Sequence, residues 1–160
     1  MIGRPREAED VFRDVAAMRG LIEKEKGRGG PWDLKIAPGG LIDLDFLAQA
    51  IVLADASRQP GLAGLSAPAV FEAAAASGRL EAADARTLVE AHRLVDDVIH
   101  WQRLTAGEGS AATDPAVLAR LAALAGDPGP EELRAPLDDA RAIVRGLFRS
   151  VLGAADLPPA

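Results

Sequence analysis

The sequence predicts an all-α fold, a helical bundle of about five to six helices. Three observations carry this. Apolar residues recur every three or four positions in each long segment, which is the period of a buried helix face. Gly and Pro cluster at intervals of helix length. Strand-like alternation is scarce, the clearest instance being Trp32-Asp33-Leu34-Lys35-Ile36.

The elements follow in order. Pro5 suits an early helix turn, and Val11, Val15, Met18 and Ile22 form one stripe of a first helix, with Arg13, Asp14, Arg19, Glu23 and Lys24 elsewhere on it. Gly27, Gly29, Gly30 and Pro31 end that helix. Trp32–Ile36 is a short extended piece, broken by Pro38-Gly39-Gly40. A second helix runs from about Leu41 to Ala56. Between Phe46 and Ala54 its only polar side chain is Gln49, so it is central and buried. Pro60, Gly61 and Gly64 mark a loop. Ser66 caps a short third helix carrying Pro68, and Gly78 ends it. A long fourth helix spans about Glu81 to Ala106 with the stripe Leu88, Ala91, Val95, Val98, Gln102 and Thr105, stopped by Gly107 and Gly109. Asp114-Pro115 opens a fifth helix to about Ala125, and Gly126–Pro130 is a turn. The last helix carries Leu133, Leu137, Ala140, Val144, Leu147 and Val151, with Pro136 as a kink or near its start. The expectation is a single helical domain over 1–160, with a loose C-terminal tail from about 153.

Composition narrows the function classes. The chain has 160 residues, 49% of them hydrophobic, enough for a real core. It has no cysteine, which removes disulfides, thiolate metal sites and cysteine nucleophiles. The net charge of −6, with no basic stripe, argues against nucleic acid as a partner. No apolar run reaches the roughly 20 residues of a membrane span, and no signal segment opens the chain, so the expected location is cytoplasmic. The serines are scattered, none sits in a Gly-x-Ser-x-Gly elbow, and no catalytic residue is assigned.

The densest polar cluster is Lys35, Gly39, Gly40, Asp43, Asp45 and Gln49. On a helix Asp43 and Asp45 lie about 200° apart, so they are not a catalytic pair, whereas Asp45 and Gln49 share a face. One reading is a ligand-facing or domain-contact surface. The other is structural: glycines allow close approach of chain to chain, carboxylates suit a helix N-terminus, and Lys35 is their counter-ion. Either way, Lys35 is expected within salt-bridge reach of Asp43 or Asp45, and Gln49 is expected to be mostly buried. His92, Asp96 and His100 recur at four-residue spacing and read as a polar helix face. His92 and His100 are about 12 Å apart along the axis, too far to share a metal easily. No metal site is assigned.

The stretch Trp32-Asp33-Leu34-Lys35, Gly39-Gly40, Asp43-Leu44-Asp45-Phe46 and Gln49 resembles the signature of bacterial glutamine synthetase adenylyltransferases, the bifunctional adenylyltransferase and adenylyl-removing enzymes. Gly3-Arg4-Pro5-Arg6, Met18-Arg19 and Val144-Arg145-Gly146-Leu147-Phe148 resemble that family too. Asp45 stands where the family has Glu, and Leu44 where it has Ile. The resemblance implies the helical domain that follows a nucleotidyltransferase domain, at the C-terminal end of the enzyme. It implies support for ATP-dependent adenylylation of glutamine synthetase in nitrogen regulation, without the catalytic core in this chain. The family's Gly-Ser loop and metal-binding Asp-x-Asp are not matched here. Mg²⁺ and ATP are implied for the full-length enzyme, with no cofactor held by this chain. The implied partners are the upstream nucleotidyltransferase domain, glutamine synthetase and a PII-type regulatory protein. The alternatives are a free-standing helical protein-interaction module without enzymatic activity, and a small metal or nucleotide binder centred on Lys35 and Asp45.

Overall fold

The computed structural model describes residues 7–106 and 114–160. Among them are six α-helices and no strand: α1 (Ala8–Lys26), α2 (Leu41–Asp55), α3 (Ala67–Ala76), α4 (Ala82–Ala106), α5 (Pro115–Ala125) and α6 (Pro130–Val151). The all-α expectation holds. The lead-in Gly3–Arg6 and the glycines Gly107 and Gly109 lie outside the described residues.

Helix α2 is the centre, packed against α1, α3, α4 and α6. Its apolar sequence explains this, since Leu44, Leu47, Ala48, Ala50 and Ile51 are all buried. One core cluster joins α2 to Val70 and Phe71 of α3, Leu88 of α4, and Val144 and Phe148 of α6. A second lies at the other end of α4, where Val95, Val98 and Ile99 meet Leu34, Leu121, Leu133 and Leu137.

Local signals set most helix ends. Asp114 Oδ1 accepts a hydrogen bond from the Ala116 amide at 2.8 Å, and Gly126 closes α5 in the left-handed conformation. Ser66 occupies the N-cap of α3, as read from the sequence, but its side chain accepts no capping bond. Pro60–Leu62 forms a 3₁₀ turn within the expected loop. Helix α6 starts at Pro130 and continues through Pro136.

Two expectations are corrected. The α1 stripe is rotated: Met18 is 57% exposed, while Arg19 is fully buried beside Val11 and Ala16. Residues 31–40 form successive turns, not an extended piece, with Ala37 N donating to Asp33 O (3.1 Å) and Gly40 N to Ala37 O (2.9 Å). Alternation over five residues cannot separate a strand from a turn that buries one side. The tail, expected to be loose from about 153, makes contact with the bundle at two positions. Ala154 and Leu157 are buried in the first cluster, so the chain stays packed beyond 153.

Candidate functional site

The expected site residues divide into an interior group and a surface group. Gly39, Gly40 and Asp43 are buried, whereas Lys35, Asp45 and Gln49 are exposed.

The interior group is organised by the turn before α2. That helix has no side-chain cap. Its first amides bond instead to the turn, Leu41 N to Leu34 O (2.8 Å) and Ile42 N to Lys35 O (2.9 Å). Asp43, in the first helical turn, reaches back and accepts from Gly39 N at 2.7 Å, in the manner of a capping box. The glycines are required by space. Gly39 has φ +74°, and a Cβ there would stand 1.9 Å from the Arg141 carbonyl oxygen of α6. A Cβ on Gly40 would stand 2.4 Å from Leu34 O. This supports the close-approach reading of the glycine pair.

Asp43, with 0% exposure, is the hub of a buried ion cluster. Arg19 Nε of α1 donates to its Oδ1 at 2.5 Å, and Arg145 Nη1 of α6 donates to its Oδ2 at 3.0 Å. Arg145 Nη2 also donates to Glu23 Oε2 at 2.6 Å. Two buried guanidinium groups thus face two carboxylates, with the partly exposed Arg28 3.8 Å from Glu23 at the edge of the cluster. Burial of such charges is tolerable only when they are paired and hydrogen-bonded. Arg19 Nη1 and Glu23 Oε1 are the cluster atoms left without a hydrogen bond among the described residues.

The same turn is gripped through its carbonyl groups. Arg19 Nη2 donates to Ile36 O (2.8 Å), Gln102 Nε2 of α4 to Trp32 O (2.9 Å) and Arg141 Nε of α6 to Pro38 O (3.2 Å). Burial pulls the Arg141 guanidinium pKa down, opposed by the neighbouring charge of Asp138. At the far end of α2, buried Asp55 pairs with Arg79, whose pKa is raised chiefly by that hydrogen bond. Residue type and apolar spacing gave no sign of Arg19, Glu23, Arg145 or Arg79, because arginine reads as surface by default. The stretches Met18-Arg19 and Val144–Phe148, which carry part of the family resemblance, were the available pointer.

The surface group departs from the expectation. The Lys35 ammonium makes no ion pair among the described residues, and the Lys35 contact to α2 is through its carbonyl. The counter-ions of Asp43 are Arg19 and Arg145. Gln49 is exposed on the same helix face as Asp45, with exposed Leu53 one turn further on. Asp45 Oδ1 lies 4.0 Å from His92 Nε2 of α4. Its carboxyl pKa is raised by partial burial, lowered by His92 and raised again by Asp96. His100 and Asp96 are exposed on α4. Among the described residues, no three His, Cys, Asp or Glu side chains are grouped to hold a metal ion. Both Asp43 oxygens are already bound by protein donors, and Asp45 points away from them. The motif carboxylates therefore do not fit a Mg²⁺–nucleotide centre.

A family model described as GlnD PII-uridylyltransferase matches residues 16–152. The bifunctional glutamine synthetase adenylyltransferase/adenylyl-removing enzyme of Rhodopseudomonas palustris (strain BisB5) is 36% identical over 96% of this chain and 16% of that enzyme. The enzyme of the same description from Xanthobacter autotrophicus is 37% identical over 95% of this chain and 16% of its own length. That from Bradyrhizobium sp. (strain BTAi1) is 39% identical over 93% and 15%. The chain thus spans about one-sixth of the curated relatives it matches. The match begins within α1 and takes in the turn, Asp43 and Arg145, so it covers the whole buried ion cluster. The chain belongs to the family of this GlnD-type model, and it is related to one stretch of the bifunctional glutamine synthetase adenylyltransferase/adenylyl-removing enzymes.

Proposed function

We propose that this chain is the helical domain that accompanies a nucleotidyltransferase domain in transfer of AMP to glutamine synthetase, inside the cytoplasm. Nucleotide and Mg²⁺ would be held by the nucleotidyltransferase domain. The observation that carries the reading is the division of the motif. Gly39, Gly40 and Asp43 build the interior, which leaves Lys35, Asp45 and Gln49 exposed beside it. Side chains not used to build the fold are available for a neighbouring domain, the target enzyme or a PII-type regulator. The relatives, about six times longer than the matched stretch, support a neighbouring domain.

The test is label transfer from α-labelled ATP with Mg²⁺ to glutamine synthetase. The purified chain alone is expected to transfer none. Carried in a full-length relative in place of the matched stretch, it is expected to support transfer, and the double substitution Lys35→Ala, Gln49→Ala to lower the rate without changing the melting temperature. Transfer by the chain alone, or a full rate in the doubly substituted enzyme, would refute the reading.

A further inference from the structure

Beyond α6 the chain doubles back across α1. It has no helix of its own there, and its buried side chains are Ala154 and Leu157. Leu157 is buried, with Cδ2 3.3 Å from where a Cβ on Gly20 would stand, so the absence of a side chain on α1 makes its seat. Three arginines hold the remainder by backbone carbonyls. Arg149 Nη2 donates to Ala155 O (2.8 Å), Arg145 Nε to Pro158 O (2.9 Å) and Arg28 Nη2 to Pro159 O. Beside the segment lies a groove of about 1010 Å³, walled on one side by Phe12, Ala16, Gly20 and Glu23 of α1 and on the other by Leu157 and Pro158.

From this geometry we infer that residues 154–159 are a latch, which opens independently of the bundle and widens the α1 groove when it does. Its hold is two buried side chains, Ala154 and Leu157, and a set of arginine–carbonyl bonds, each of which water replaces on opening. The bundle helices, in contrast, bury continuous apolar faces. Segments with few buried apolar contacts open at lower free energy than the core. The latch is also wired to the motif. Arg145 binds Pro158 O on one side and Asp43 Oδ2 on the other, and Asp43 Oδ2 accepts the Gly39 amide. Release of Pro158 frees one of the bonds that orient Arg145, and the Gly39 amide reports that loosening.

Amide hydrogen exchange resolved by residue tests this on the unaltered chain. The Ala154 and Leu157 amides, bonded to Arg149 O and Ala154 O, are expected to exchange at least about a hundredfold faster than those of Leu47, Leu88 and Val144. In Leu157→Ser, exchange at Gly39 is expected to rise about tenfold, while the amides of Val98 and Leu121 in the second cluster stay unchanged. Equal protection of latch and core in the unaltered chain would overturn the latch. In Leu157→Ser, an unmoved Gly39, or a uniform rise across both clusters, would overturn its link to the motif.

Discussion

Asp43 and Asp45 stand two residues apart on one helix, and their surroundings share almost nothing. Asp43 is sealed between Arg19, Arg145 and the Gly39 amide. Asp45 is half in water, with His92 at 4.0 Å as its one ion-pair contact among the described residues. The 200° between them along α2 sends one carboxylate into the bundle and the other out of it. A short motif can thus carry two independent tasks: the inner residues fix how α1, α2 and α6 meet, and the outer ones present a surface. Substitutions on the two sides should separate cleanly.

The largest effect belongs to Asp43→Ala. It leaves two buried guanidinium groups facing one carboxylate, and breaking such a cluster costs about 3–5 kcal/mol. Urea unfolding should show the loss. The comparison sharpens if Asp43, Arg19 and Arg145 are replaced together by apolar residues of similar volume, because removing the whole charge set should recover much of that stability. If the triple variant is as weak as Asp43→Ala, then the hydrogen bonds to the turn, rather than charge balance, dominate.

Next comes Gly39→Ala. Its positive φ and the clash with Arg141 O should cost about 1–3 kcal/mol. Gly30→Ala, where an added Cβ meets nothing within 4 Å, is the control and should leave the melting temperature in place. Equal melting of the two variants would mean that α6 can withdraw from the turn.

Smallest of all is Asp45→Asn. Burial raises the Asp45 pKa in the folded chain above its unfolded value. The folded state therefore binds this proton more tightly. The contribution of Asp45 to stability is greatest below the ordinary carboxylate pKa and is lost as pH rises through the raised one. At neutral pH, Asp45→Asn should raise stability by no more than about 0.5 kcal/mol, with the gain fading in acid. A loss of stability at neutral pH would mean that attraction to His92 outweighs burial.

How much of this was legible beforehand follows from which atoms do the work. Helices α2 to α6 were readable because their apolar residues and their Gly, Pro and Asp boundaries are side-chain signals. The stripe of α4 came out as read: Leu88, Val95 and Val98 are buried, and Gln102 bonds across to Trp32 O. The spread of Asp43 and Asp45 to opposite sides was equally readable from helical geometry. The α1 face was misjudged because a period count scores Met18 as inside and Arg19 as outside, whereas a paired arginine outcompetes a methionine for the space beside Asp43. The contacts of the tail were not legible because Ala154 and Leu157 follow no helical period and its other anchors are carbonyl oxygens, which every residue has. On the Lys35–Asp45–Gln49 side, an ion pair for Lys35 and burial of Gln49 were expected where the chain in fact meets water.

The grip on the turn before α2 has a wider consequence. Arginine and glutamine side chains from three helices seize it by peptide oxygens at Trp32, Ile36 and Pro38. A peptide oxygen survives any mutation of its residue, so the outward-facing side chains of this loop can be rewritten freely while its path through space is kept. Selection, or a protein engineer, can therefore retune what the loop displays without redesigning the scaffold beneath it, provided the two glycines and the clasping arginines are left alone.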